Sequence, residues 1–478
     1  MSGNPTLKCL NTIVATCLCS SFHLGFLFMT WSSASLWVGL KEQLYHMLSP
    51  DFDTSTEEIA RGLLSSLLIF GFALGCFLYS IRSLKCSKLW GLRISSLISA
   101  ICIFFGSFEE TYSLALPLSR YFTGTALAFS IGYGTEFITE ILPTHFQWVA
   151  VPLQVSFAIV GCFMSSVLTF FNLLNSLDQL VMTLRIQGTI LFLALLFLLW
   201  AEESPVHLCK KGELKRCASS ISVYNDTPLA YSVFQNIQDD TIEKKFNRSA
   251  LRKHLFPVFC LLSVAFSGGP ILLLYPNVYL HSIRDYQDVS SVLLQSANLM
   301  CMTRVAAALI VAFMALFARR EIAYSKPRVA VCYLVSLVAL SVLVFLPMTT
   351  GAILRMILVI LQVITLGENS ATLTIELFCA LAYLTRESRR STAASIGFGC
   401  VIFAAYIASF PFVMDPSDNK ILSAYLLVPT AVCWPVMMFL LPRATPRAPK
   451  PKEDEKNLTL TDRMKRNAIG TVHAFAGL

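Results

Sequence analysis

The chain alternates between apolar stretches of about 20 residues and shorter polar connections. Each stretch is close to the ~20 residues that an α-helix needs to cross a bilayer. The pattern predicts twelve membrane-spanning helices, near residues 10–29, 63–79, 89–108, 114–138, 148–171, 181–200, 255–275, 289–317, 329–345, 353–384, 392–413 and 422–441. We therefore expect an all-α membrane protein.

The longest polar interruption covers residues 208–254 and divides the predicted spans six and six. It predicts an N-terminal six-helix bundle at 1–207, a cytoplasmic linker at 208–254, a C-terminal six-helix bundle at 255–441 and a tail at 442–478. Similar basic loops recur in both halves, as they do in transporters built from two related bundles around a central path.

Lysine and arginine gather in alternate loops. The connections after spans two, eight and ten are basic, whereas those after spans one and three carry mainly acidic residues. Basic loops tend to stay on the cytoplasmic side, so both termini and the 208–254 linker are expected in the cytoplasm. We expect a multi-pass protein of the plasma membrane.

The overall composition supports the same class. Hydrophobic residues make up 55% of the 478 positions and charged residues 14%, with a mean hydropathy of +0.64, which excludes an ordinary soluble domain. Most of the 15 cysteines lie in apolar stretches, which predicts packing residues rather than a disulfide framework. No metal-ligand or nucleophile-and-base spacing stands out, so we expect no enzymatic activity and no cofactor. The expected partners are the lipid bilayer and a small-molecule solute, with no nucleic acid.

The fourth predicted span carries a charge at each end of a helix rich in small residues. Arg120 and Glu140 are separated by roughly 30 Å on a continuous α-helix, which matches the thickness of the hydrocarbon core. Gly124, Gly132 and Gly134 lie between them, as in membrane helices whose backbones approach closely. We expect tight helix packing here.

The same span resembles the fourth span of the sugar porters in the major facilitator superfamily, the family of the facilitative glucose transporters. The likeness is carried by Arg120, Gly124, Gly132, Glu140 and Pro143, whereas Gln147 stands where that family has an arginine. Weaker likenesses follow in the family's order, at SFHLGF from position 21, ESP from position 203 and SG from position 267. The resemblance implies the major facilitator fold and transport by alternating access.

The resemblance also implies gating salt bridges at the cytoplasmic face. In the family, basic residues between spans two and three pair with the glutamate that ends span four, and the second half repeats this arrangement. We expect Lys85 and Lys88 to meet Glu140, with the full set being Lys85, Lys88, Glu140 and Glu203 in the first half and Arg319, Arg320, Glu376 and Arg389 in the second. The competing interpretation is that these bases only follow the charge distribution that orients a membrane protein.

Most sugar ligands of the family are missing from this chain. The span-five glutamine aligns with Val155 and the span-ten tryptophan with Ala371. Other polar residues at membrane depth are therefore the candidates for solute binding, namely His23, Gln154, Tyr275, Asn277, Glu368 and Asn369. Among the ionisable residues at membrane depth, Glu368 is the first candidate for a functional role and Glu136 is the second. For His23 and Gln154, an interhelical hydrogen bond that only fixes packing is the competing interpretation.

These observations predict a secondary transporter that moves a small organic solute, such as a sugar or polyol, by alternating access. Proton-coupled sugar porters carry an aspartate where this chain has Leu27, so facilitative uniport is expected. His23 and Glu368 are the two residues that could still couple transport to protons. Two other functions remain open, an organic-ion carrier and a receptor or sensor that has lost transport.

Overall fold

The computed structural model of this chain is mainly helical. It describes residues 4–30, 67–76, 78–79, 87–108, 115–142, 150–170, 177–226, 259, 262–263, 266–267, 326–345, 357, 361, 365, 369, 373, 377 and 419–441. The first half contains α1 (Leu7–Leu18), α2 (Ser21–Thr30), α3 (Leu67–Cys76), α4 (Lys88–Gly106), α5 (Ala115–Ile141), α6 (Ala150–Phe170), α7 (Leu177–Leu199), α8 (Pro205–Lys210) and α9 (Leu214–Tyr224). The second half contributes α10 (Lys326–Phe345) and α11 (Asn419–Leu440).

The helices lie where the apolar stretches predicted them. The first predicted span consists of α1 and α2, which are joined by a short turn, and α3 to α7 follow the next five predicted spans to within a few residues. The helices α10 and α11 match the predictions at 329–345 and 422–441. The spans predicted at 255–275, 289–317, 353–384 and 392–413 lie largely outside the described residues. The proposed domain boundaries stay predictions.

Three segments of the described chain are long and apolar enough to cross a membrane: Leu7–Leu27, Lys88–Gly106 and Asp178–Leu199. Shorter apolar helices occur at Leu67–Cys76, Ser156–Ser165 and Leu427–Leu440. The helix α5 is long enough, but it carries Arg120, Glu136 and Glu140 and is buried along most of its length. The helices α4 and α7 instead expose rows of large apolar side chains, as expected for surfaces that face lipid.

Glycines allow the backbones of α2 and α6 to touch. A Cβ atom on Gly25 would lie 1.8 Å from the carbonyl oxygen of Ala158, and one on Gly161 would lie 2.0 Å from that of Phe22. Such small-residue contacts are a main source of helix association in membranes, where lipid is as apolar as the side chains. They fix the height and rotation of α2, which carries His23.

A feature that the all-α pattern did not predict ties the N-terminal segment to the end of α9. Strand β1 (Asn4–Pro5) pairs antiparallel with strand β2 (Asn225–Asp226). Beside them, the Thr6 hydroxyl donates to the carbonyl of Val223 at 2.6 Å, and the Thr6 amide donates to that of Tyr224 at 3.1 Å. We call this arrangement the N-terminal clasp, defined by residues 4–6 and 223–226.

The clasp rests on a buried tyrosine. The Tyr224 ring is fully buried and lies edge-on to Phe137 near the end of α5, with ring centroids 6.4 Å apart. Its hydroxyl donates to the carbonyl of Glu202 at 2.6 Å. The start of α1, the end of α5 and the connection after α7 therefore meet at one face of the first half.

Candidate functional site

His23 is a fully buried polar residue on α2. Neither ring nitrogen has a hydrogen-bond partner within the described structure, and the nearest aromatic ring is that of Phe22, edge-on at 5.3 Å. A neutral imidazole offers one donor and one acceptor, and neither is used by another of the described residues.

Gln154 on α6 has one terminal amide atom without a partner. The residue is 3% exposed, and its amide lies 2.9 Å from the Ser20 hydroxyl and above Gly134 of α5. Ser20 has a single proton and also lies 2.7 Å from the carbonyl of Thr16, so it cannot donate to both. Whichever way the amide is turned, its other polar atom stays unpaired beside Gly134.

Gln187 on α7 is a third buried polar residue, and it was not among the predicted solute ligands. It is 2% exposed, and its Nε2 donates to the main-chain carbonyl of His23 at 3.4 Å. That contact fixes the orientation of the amide, because a carbonyl accepts only from the N–H end. Its Oε1 has no partner in the described structure. A single glutamine inside an apolar stretch was the only available signal. We call His23, Gln154 and Gln187 the buried polar group.

One of the predicted gating residues of the first half, Lys88, has a partner that was not predicted. Lys88, the first residue of α4, forms an ion pair with Glu136 rather than with Glu140. The two side chains are 12% and 7% exposed, and the Lys88 ammonium lies 6.0 Å from the centre of the Tyr133 ring. Glu136 precedes Glu140 by one helical turn, so both residues lie on the same side of α5. The ion pair is therefore buried one turn deeper than expected.

Glu140 and Glu203 accept hydrogen bonds from serines that cap helices. Ser204, the N-cap of α8, donates to the Glu140 carboxylate, and Ser87, the N-cap of α4, donates to the Glu203 carboxylate. Glu203 thus lies at the same face as Glu140, as predicted, although their gating role stays a prediction. The other predicted gating residues, Lys85, Arg319, Arg320, Glu376 and Arg389, lie outside the described residues.

Comparison with known proteins identifies the family. The model of the sugar (and other) transporter family matches residues 13–445, which is nearly the whole chain. The chain belongs to this family. Comparison with curated protein sequences gives no match.

Solved structures show the fold that goes with this family. The proton:xylose symporter XylE bound to 6-bromo-6-deoxy-D-glucose is 15% identical, with a TM-score of 0.67 over 91% of this chain and 96% of that chain. The inward-open xylose transporter XylE from E. coli is 17% identical, with a TM-score of 0.61 over 91% and 97%. The human organic anion transporter MFSD10 is 11% identical, with a TM-score of 0.54 over 90% and 100%.

As a member of the sugar transporter family with the major facilitator fold, the chain is a multi-pass membrane protein and a secondary transporter of small solutes that works by alternating access. The predicted fold class and family are therefore confirmed. Family membership indicates a transporter, while the predicted lack of enzymatic activity stays a prediction.

In the second half of this family member, Asn369 is hydrogen-bonded to α10. It is 8% exposed, and its amide nitrogen donates to the carbonyl of Cys332 and to the Ser336 hydroxyl, both on α10. Its donors are thus committed to a neighbouring helix, and its predicted contact with solute stays untested. The other predicted solute ligands of this half, Tyr275, Asn277 and Glu368, lie outside the described residues.

Proposed function

We propose that the chain is a facilitative carrier for a small hydroxyl-bearing solute, such as a sugar or polyol. The observation that carries this proposal is the buried polar group, in which His23, Gln154 and Gln187 all keep hydrogen-bonding atoms that no atom of the described residues satisfies. A hydroxyl group both donates and accepts a hydrogen bond, so it suits the unpaired donors and acceptors of amides and an imidazole.

Energetics favour a solute role over a packing role for these residues. Leaving a buried donor or acceptor unpaired costs about 1–3 kcal/mol, and residues kept only for packing are normally paired across helices. The three side chains together hold at least four unpaired nitrogen or oxygen atoms. A polar solute that entered by alternating access would supply partners for them.

The first span supports uniport rather than proton symport. Leu27, which stands where proton-coupled sugar porters carry an aspartate, is buried on α2 and cannot bind a proton. Neither nitrogen of the His23 ring is hydrogen-bonded to a carboxylate in the described part of the chain. Among the described residues, His23 thus has no hydrogen-bonded carboxylate that could alternate between charged and neutral forms.

We place the carrier in the plasma membrane with both termini in the cytoplasm. The basic loops after spans two, eight and ten support this orientation.

The decisive experiment is uptake by the purified chain in liposomes. Labelled D-xylose, labelled D-glucose and an organic anion are offered at equal pH and with an imposed inward proton gradient. We expect saturable uptake of a sugar that stops at equal concentrations on both sides. We also expect Gln187→Leu to weaken the apparent affinity, whereas Thr189→Val, at an exposed position of the same helix, leaves it unchanged.

Three results would overturn this proposal. Concentrative uptake that an uncoupler abolishes would replace uniport by proton symport. Uptake of the anion alone would favour the organic-ion carrier. Saturable binding of a sugar without any uptake would favour the receptor or sensor.

A further inference from the structure

A cavity of about 550 Å³ lies at the face of the first half that carries the N-terminal clasp. The start of α4, the end of α7 and the two short helices α8 and α9 surround it. Its walls are formed by Ser87, Leu89, Trp90, Arg93, Leu199, Ala201, Glu202, Glu203, Leu208, Lys211, Glu213, Arg216 and Ser219. This cavity is separate from the buried polar group, because it shares no residue with it.

An arginine is held rigidly in the wall of this cavity. Arg93 donates through Nε and Nη2 to the carbonyl of Leu198 at 3.2 and 2.8 Å, and through Nη2 to those of Leu199 and Ala201 at 3.2 and 3.0 Å. Its guanidinium also lies 5.2 Å from the centre of the Trp90 ring. These acceptors are neutral, so they fix the guanidinium without cancelling its charge. Within the described structure, Nη1 donates to no protein atom, so this nitrogen of the guanidinium is available to a ligand.

The carboxylates of the cavity already have partners. Glu203 accepts from the Ser87 hydroxyl and from the Ser204 amide, and the Glu202 carboxylate lies 3.7 Å from the ammonium of Lys8. Glu213 pairs with Arg216 at 2.7 Å. Among the residues that line the cavity, Arg93 and Lys211 are the cations without an ion pair in the described structure. The donors to Glu203 are neutral, so its negative charge stays in the cavity wall. With Lys8 counted beside the lining residues, four cations stand against three carboxylates, which leaves one net positive charge for a ligand.

The surroundings place the cavity at the level of lipid headgroups. Exposed apolar side chains of α4 and α7 lead up to it, namely Ile94, Leu97, Ile98, Ile101 and Phe105 on α4 and Leu193, Leu196 and Phe197 on α7. Trp90 and Trp200 stand at the end of these rows and are 58% and 74% exposed. Tryptophan is enriched where the hydrocarbon core meets water. A molecule in this cavity would thus have its apolar part against the membrane-facing helices.

We propose that this cavity binds the phosphate group of an anionic membrane phospholipid. The phosphate accepts hydrogen bonds from Arg93 Nη1 and from the Lys211 ammonium, and the acyl chains lie along the exposed faces of α4 and α7. In the proposed orientation of the carrier, the lipid belongs to the cytoplasmic leaflet. The lipid would connect α4 and α7 with Lys211, the residue at the end of α8.

Tryptophan quenching tests this proposal without any measurement of transport. The purified full chain is placed in phosphatidylcholine nanodiscs that contain increasing amounts of phosphatidylglycerol with brominated acyl chains, which quench tryptophan on contact. We expect quenching to saturate at a lower lipid fraction than with brominated phosphatidylcholine. The saturable component should decrease in Trp90→Phe, because Trp90 borders the cavity, whereas Trp200 at the end of α7 still reports the acyl chains.

The matched variants are Lys211→Gln and Lys215→Gln. Both lysines are exposed near the same face, but only Lys211 lines the cavity. A basic residue near an anionic membrane surface contributes about 1 kcal/mol, so Lys211→Gln should weaken the preference for phosphatidylglycerol about fivefold. Lys215→Gln should leave it within about twofold, because its charge acts only through the general field of the surface.

Equal losses in both lysine variants would show a diffuse surface attraction and would overturn the site. Equal saturation with both brominated lipids would do the same. Competition by inorganic phosphate, compared with chloride at equal ionic strength, separates the two sources of the anion. If inorganic phosphate abolishes the quenching fully while phosphatidylglycerol shows no preference over phosphatidylcholine, the occupant is a free anion and the lipid assignment is wrong.

Discussion

Removal of Lys88 alone should destabilise the first half more than removal of both members of its ion pair. Lys88 and Glu136 are 12% and 7% exposed, so neither charge is well solvated. Removing one partner of a buried pair costs about 3–5 kcal/mol, whereas replacing both by apolar residues is often neutral or stabilising. We expect Lys88→Met to cost about 3 kcal/mol, the lower end of that range, because both side chains keep a small contact with solvent.

The measurement is the apparent melting temperature of the purified chain in detergent. For a cooperative unit of about 150–250 residues, about 3 kcal/mol corresponds to a decrease of roughly 6–12 °C. Lys88→Met/Glu136→Leu should recover most of this decrease. The control is Lys215→Gln, which removes an exposed positive charge and should change little.

A second double-mutant cycle compares Glu136, the observed partner of Lys88, with Glu140, the predicted one. The effects of Lys88→Met and Glu140→Gln should be nearly additive, whereas those of Lys88→Met and Glu136→Leu should not. Additive losses at Lys88 and Glu136, or an unchanged melting temperature in Lys88→Met, would refute the buried ion pair as a source of stability.

Three further predictions follow from other contacts. Gly25→Ala should force α2 and α6 apart, because the added Cβ would meet the backbone of Ala158. We expect a cost at the upper end of about 1–3 kcal/mol and a lower melting temperature. An unchanged melting temperature would refute the close contact. Burial raises the pKa of the Cys217 thiol to about 11, so its labelling by maleimide at neutral pH should be slow. Thr6→Val removes a hydrogen bond of the N-terminal clasp and should accelerate this labelling, as measured by peptide mass spectrometry. Equal labelling rates in both proteins would count against a coupling between the clasp and Cys217. Cysteines at Asp53 and Lys326 test the orientation in intact cells, where an impermeant thiol reagent should label only the first; external labelling at Lys326 would invert the proposed topology.

The membrane helices were predictable because the bilayer imposes a length on apolar stretches. A stretch of about 20 apolar residues has few alternatives to a spanning helix, and the ends of α5, α6 and α7 fall within a few residues of the predictions. The β1–β2 pair could not be predicted in the same way. Two-residue strands carry no periodic pattern, and their partners are separated by more than two hundred positions.

It was harder to predict which side chains of the site contact each other than to predict where the helices lie in the sequence. Glu136 and Glu140 lie one turn apart on the same side of α5, so sequence spacing alone could not decide which of them meets Lys88. The choice depends on where α4 begins, since Ser87 caps that helix and places Lys88 at its first position. Gln187 was missed for a related reason: one polar residue in an apolar stretch does not reveal which helix it faces.

At the face predicted to carry the gate, serine hydroxyls hold the carboxylates of Glu140 and Glu203 through hydrogen bonds instead of ion pairs between two side chains. Ser87 and Ser204 each accept from the first turn of the helix that they cap and donate to a carboxylate, Glu203 or Glu140. Breaking such a contact also loosens a helix cap, which is worth about 1 kcal/mol. Exposed ion pairs weaken with salt, whereas helix caps depend on short contacts that salt screens little. We therefore predict that Ser204→Ala shifts the balance between inward-open and outward-open states by a similar amount at low and high salt, whereas an effect that grows or vanishes with salt would contradict a contribution from this cap.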